Sequence, residues 1–184
     1  MKITLPITLD QVMNARPSKE AWPKDVYVAY TEDDQMEIQA NRRISGREID
    51  ALLWNFQLAL VREKKQELLA KLNGATEIAL SKGFMSTALG TPHVYDLRME
   101  DQINLAGLVI AQIDSCFRCQ GVQEAHKSYK PHTQAQLKKV FADGLAYKAR
   151  VLNFFGKEKE RLHACESLQA VQEFKIKELE DSNA

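Results

Sequence analysis

Cys116 and Cys119 stand at the C-x-x-C spacing at which two thiolates can hold one zinc ion, and His126 and His132 follow them. Thiolate and imidazole are the ligands zinc prefers, and four of them close a tetrahedral site. The gap from Cys119 to the first histidine is shorter than in a Cys2His2 finger, and no second C-x-x-C occurs. The ligand set is therefore incomplete, and neither a metal nor a cofactor is expected. A redox dithiol would need βαβ surroundings, which the flanking sequence does not offer. The two cysteines are expected as small, half-buried residues where a helix gives way to a strand. His93, Tyr95 and Asp96, close to Asp101 and Gln102, form a second group that could move protons. General acid–base chemistry needs such groups within hydrogen-bond reach of a substrate, and nothing in the sequence indicates a pocket. A structural use is nearer to hand: Asp96 or Asp101 accepts from the free amides that open a helix, and Gln102 and Asn104 bond the hairpin backbone. No glycine-rich phosphate loop, nucleophile elbow or His-Glu-x-x-His run occurs. No catalytic residue is assigned, and the protein is not expected to be an enzyme.

The elements that position these residues lie between Gly83 and Leu105. Gly83 follows a long helical pattern and suits a left-handed helix stop. Phe84 to Leu89 and His93 to Leu97 are short β-favouring runs around the turn Gly90-Thr91-Pro92, which predicts a small hairpin. Glu100 and Asp101 then fall in the first turn of a helix, where negative charge is favourable. That helix is expected from Met99 to about Ser115, with Ile103, Leu105 and Leu108 to Ile110 on its apolar side. A second hairpin is plausible after Cys119, with His126 to Tyr129 extended and Pro131 ending the run.

The order glycine, hairpin, His93-x-Tyr95-Asp96, then Asp101-Gln102-x-Asn104-Leu105 resembles a poorly characterised domain of tailed bacteriophages. That domain commonly forms the C-terminal part of proteins encoded near the tail-fibre genes. His132-Thr133-x-x-Gln136-Leu137, followed by a helix, fits the same pattern, and the resemblance runs from about Leu69 to Leu179. It implies a structural virion protein of the tail, baseplate or tail-fibre region, made in the host cytoplasm and working by protein–protein contact. Its partners would be other tail or fibre proteins, with self-association open. The alternative is an assembly chaperone that leaves before the particle matures. The resemblance implies no mechanism, because the family has no settled activity.

The remaining chain is legible from patterning. Ser45-x-x-Glu48 has the form of a capping box, and Ile49, Leu52, Leu53, Phe56, Leu60, Leu68 and Leu72 recur at threes and fours after it. They predict a helix from Gly46 to about Lys82, with Asn73-Gly74 as a place to bend or split. Thr133 and Gln136 make a second box, followed by Leu137, Val140, Phe141, Leu145, Leu152 and Phe155 as one apolar side. Gly156 interrupts that helix, and Lys157 to Glu180 reads as a charged helical tail in which Ser167 restarts a last helix. Residues 1–43 are punctuated by Pro6, Pro17 and Pro23, with alternation at Ile3 to Leu9 and at Val26 to Tyr30 and Met36 to Ile38. The last two predict a hairpin with an acidic tip. The segment is either a small sheet on the helices or a docking arm, with Trp22, Val26, Tyr27 and Tyr30 as its contacts. The expected fold is thus α+β and mostly helical: a small N-terminal β appendage (1–43), a long connecting helix (44–82), and a helical domain with one or two short hairpins (83–184).

Of 184 residues, 45% are hydrophobic, enough for a core. Lysine plus arginine and aspartate plus glutamate each number 25, so no bulk charge draws the chain to nucleic acid. No apolar run approaches the roughly 20 residues of a membrane helix, and neither nucleic acid nor membrane is an expected partner. Three cysteines, an odd number, are not a disulfide framework.

Overall fold

The computed structural model describes residues 26–30, 36–40 and 45–179. Along them run β1 (Val26–Tyr30), β2 (Met36–Ala40), α1 (Gly46–Ser81), β3 (Phe84–Ser86), β4 (His93–Tyr95), α2 (Met99–Ala111), β5 (Ser115–Gly121), β6 (Ser128–His132), α3 (Gln134–His163) and α4 (Leu168–Gln172). The fold is α+β and mostly helical, as the patterning predicts. Two compact units divide the chain: Met1–Ala70 with Arg161–Lys175, and Lys71–Glu160 with Ile176–Ala184.

In the first unit, β1 and β2 pair antiparallel with Val26 opposite Ala40 and Tyr30 opposite Met36. This is the hairpin that the alternation predicts. Trp22 and the run Ile3 to Leu9 lie outside the described residues, and of Val26, Tyr27 and Tyr30 only the backbone is described. Helix α1 opens on its capping box: Glu48 N donates to Ser45 Oγ at 3.3 Å, and Ser45 N donates to Glu48 Oε2 at 2.9 Å. Each bond satisfies an amide that a helix start or its flank leaves open. Phe56 and Leu60 are buried, with Leu168 of α4 against them. Helix α4 has Ser167 as its cap, Oγ accepting from Ala170 N at 3.1 Å. The tail is less helical than its composition suggests. It stops at His163, resumes for the short α4, and is irregular over 174–179.

The second unit holds a four-stranded antiparallel sheet in the order β3-β4-β5-β6. Phe84 lies opposite Tyr95, His93 opposite Gly121, and Phe117 opposite Lys130. The two hairpins are thus one meander, with α2 inserted between neighbours β4 and β5. Gly83 ends α1 at φ 80, and a Cβ there would lie 2.2 Å from the Tyr95 carbonyl oxygen, so the position admits only glycine. Helix α2 is shorter than expected. Gln112 closes it in the left-handed region, at φ 56, and Ser115 already begins β5. Cys116 and Cys119 therefore sit within a strand rather than at a junction. Pro131 also lies inside β6 instead of ending it. The sheet order explains the tolerance, because β6 is an edge strand and an edge position can spare an amide.

Phe84, Tyr95, Leu105, Phe117, Cys119, Leu137 and Val140 form the core between sheet and helices. Helix α3 opens on its own capping box, Thr133 N donating to Gln136 Oε1 at 2.8 Å and Gln136 N to Thr133 Oγ1 at 3.3 Å. Its buried line runs Leu137, Val140, Gly144, Val151, Phe155, Glu158 at the threes and fours of one helical face. Leu145 and Leu152, expected on that face, are about half exposed. The line passes through Gly144 and Val151 instead, each one residue away. The helix also runs through Gly156 unbroken.

Candidate functional site

Period-two alternation decides what β5 and β6 offer. Cys116 and Cys119 are three residues apart in one strand, an odd spacing that sends their side chains to opposite faces. Cys116 is exposed and Cys119 buried, so the pair does not converge on one ion. His126 lies in the connection between β5 and β6, and His132 is committed elsewhere. Among the described residues no three His, Cys, Asp or Glu side chains are grouped as metal ligands would be.

His132 is turned into the sheet's inner face, 2% exposed, and Tyr95 beside it is 0% exposed. The Tyr95 hydroxyl lies 2.9 Å from His132 Nε2, and His132 Nδ1 lies 2.7 Å from the Lys130 carbonyl oxygen. A carbonyl only accepts, which assigns the proton to Nδ1 and leaves Nε2 to accept from the tyrosine. Phe117 stands edge-on to His132 and stacks on Tyr95, which also stacks on Phe84. His93 repeats the wiring: Nδ1 donates to the Thr91 carbonyl at 2.8 Å, and Nε2 accepts from the Lys130 ammonium at 3.2 Å. Lys130 also pairs with Glu124, whose other oxygen accepts from Gly121 N.

Burial sets the protonation of this group. It pushes the Tyr95 phenol up, well clear of the ordinary tyrosine range, with Cys119 and Asp143 adding to the effect. It holds the His132 imidazole down and raises the Cys119 thiol, the latter partly offset by the Tyr95 hydroxyl. Glu124 is held low by its bond to Lys130 and then by the Gly121 amide. The group therefore rests as neutral Tyr95, neutral His132 and an ionised Lys130–Glu124 pair.

The other motif residues lie just past the end of β4. Asp96 pairs with Lys127 rather than with a helix start, and α2 begins at Arg98 without a side-chain cap. The helix opening needs none from Asp96 or Asp101, correcting the sequence expectation. Gln102 Nε2 donates to the Leu97 carbonyl at 2.6 Å, just past the hairpin, and its Oε1 accepts from Lys148 at 2.7 Å. Asn104 points to solvent and Leu105 is buried. Asp96, Asp101, Gln102 and Leu105 come together with Lys148 and Phe141 around a cavity of about 30 Å³, room for one or two waters. Neither Tyr95 nor His132 lines it. Sequence reasoning missed Lys130, Glu124, Lys127 and Lys148. The alternation Ser128, Lys130, His132 was the available signal for Lys130, since it places that lysine on the face of His132.

Comparison with family models, curated proteins and solved structures gives no match. Among the described residues, no helix is long and apolar enough to cross a membrane.

Proposed function

We propose that this chain is a structural protein of a tailed-bacteriophage virion, in the tail or tail-fibre region, acting through protein–protein contacts. The phage assignment rests on the resemblance carried by His93, Tyr95, Asp96, Asp101, Gln102, Asn104 and Leu105. Most of those residues are used inside the fold: Tyr95 and Leu105 in the core, His93 and Gln102 on backbone carbonyls, Asp96 on Lys127. Such use suits a scaffold better than a reaction centre.

The observation that carries the contact role is the outer face of α2. Met99, Ile103 and Ile110 are 70%, 63% and 80% exposed. At 100° per residue they fall within about 40° of one line along the helix. Ala106 and Gly107 continue that line, and a Cβ on Gly107 would meet nothing within 4 Å. Large apolar residues aligned at the surface mark contact sites in soluble proteins. The partner in this reading is another protein of the same tail or fibre.

The test is mass spectrometry of purified particles from a phage carrying the gene, with wild type compared with the Ile103→Glu, Ile110→Glu double variant. A virion component is retained in wild-type particles and lost or reduced in the variant, while circular dichroism shows the variant folded. Absence from mature particles that nonetheless require the gene would replace this reading with an assembly chaperone. Wild-type incorporation of a folded double variant would remove α2 as the contact face.

A further inference from the structure

His93 and Tyr95 lie on β4, Lys130 and His132 on β6, and β5 runs between them. The bonds His93–Lys130 and Tyr95–His132 therefore pass over β5 and tie the edge strand to β4 through side chains alone. Both ties end on the same kind of atom, an unprotonated imidazole Nε2. We propose that they form an acid-released latch: protonation of His93 and His132 loosens β6 from β4, while the helices stay folded.

The chemistry at each tie differs. On His93, a proton at Nε2 would face the Lys130 ammonium, which has three donors and no lone pair. The hydrogen bond is lost outright, and two cations are left about as far apart as the present 3.2 Å. On His132, a proton at Nε2 requires the Tyr95 oxygen to become the acceptor, so the phenol proton must turn towards another partner. The charge so formed sits in a nearly fully buried ring.

The surrounding groups decide whether those charges can be absorbed. Facing the pair are Tyr95 on β4, Cys119 on β5, Lys130 on β6 and Glu124 in the connection. Glu124 is the one carboxylate within this set, and it is already held by Lys130 and the Gly121 amide. Asp143 on α3 acts on Tyr95, but its oxygens are taken by Ser86 at 2.5 Å and Lys139 at 3.2 Å. The remaining tie, Lys127 to Asp96, involves no histidine. Strand β6 is five residues long and has one backbone neighbour, so once both side-chain ties fail it is held by the β5 ladder and, at its start, by Lys127 on Asp96.

Amide hydrogen exchange of the full chain at pH 7.5 and 5.5, normalised for intrinsic rates, tests the latch. Protection of the β6 amides is expected to fall at least tenfold more than that of α3. In His93→Gln the excess loss is expected to shrink at least threefold, because that side chain no longer titrates. Parallel loss in β6 and α3, no loss in β6, or an undiminished excess in His93→Gln would each overturn the proposal. Should the variant fail to fold, wild-type NMR titration serves alone. The His132 ring protons must then shift over the pH interval in which β6 protection is lost, and loss of protection without that shift refutes the latch.

Discussion

Gly144 of α3 lies against the ring of Phe84: a Cβ built on Gly144 would come within 2.8 Å of Phe84 Cζ. The helix accepts a glycine there so that the first strand of the sheet can bury its aromatic ring. Gly144→Ala gains about 1 kcal/mol of helix propensity, but it drives a methyl group against a buried ring, which must then shift. We expect a net loss of roughly 1–2 kcal/mol, the range for overpacking a core. On the same helix, a methyl group at Gly156 would meet nothing within 4 Å. Gly156→Ala should therefore stabilise by about 0.5–1 kcal/mol. Urea denaturation of both variants checks the opposed signs.

Leu105 should behave as a core residue and Ile103, two positions away, as a surface one. Leu105→Ala is expected to cost about 2–5 kcal/mol. Ile103→Ala, on the exposed face, should stay within about 0.5 kcal/mol of wild type. Equal costs in thermal or urea unfolding would mean that α2 is rotated from the orientation described.

Alkaline stability should report on Tyr95. Its phenol is raised by burial above the ordinary value of 10.0. In the unfolded chain the phenol ionises at its ordinary value, while in the fold it holds its proton. The contribution to stability is thus complete below about pH 10 and is lost as pH rises beyond it. Tyr95→Phe should leave His132 Nε2 without a donor and cost about 1–3 kcal/mol at neutral pH. It should also flatten that part of the decline between pH 9 and 11, which urea titrations across that interval would show.

The cysteines should separate by face. Elemental analysis of protein purified without added zinc is expected to find well under one zinc per chain, and about one would overturn the geometry argued for β5. Cys116→Ser, at an exposed position, should be nearly neutral. Cys119→Ser places a hydroxyl in the core and should cost on the order of 1–3 kcal/mol, measured by the same unfolding assay.

What the sequence disclosed was local. Both capping boxes form, Ser45 with Glu48 and Thr133 with Gln136, because their bonds span three residues and need no tertiary partner. Gly83 and the β3–β4 hairpin were legible for the same reason. The pairing of β4 with β5 was not, since α2 lies between them and no short-range pattern encodes which strands meet. Pro131 misled because its cost depends on sheet position: on an inner strand it breaks a ladder, on β6 it does not. Leu145 and Leu152 misled because hydrophobicity alone cannot choose between adjacent helical lines when Gly144 is the residue that lets the helix approach Phe84. At the candidate site, His93 and Tyr95 were visible by type. Lys130 and Glu124 were not, because one reaches the site from β6 and the other from the connection before it, and only the folded sheet fixes how they meet.

The two borders of the sheet have a consequence for crowding. One is β3, three residues long; the other is β6, which carries Pro131 in the middle of its ladder. Neither presents the long run of open amides and carbonyls on which a further strand could template. Copies of this four-stranded sheet held side by side at high local concentration would therefore not extend one another strand by strand along either border. Contacts between such sheets would fall to their side-chain surfaces, whose geometry can stop growth at a defined number of subunits.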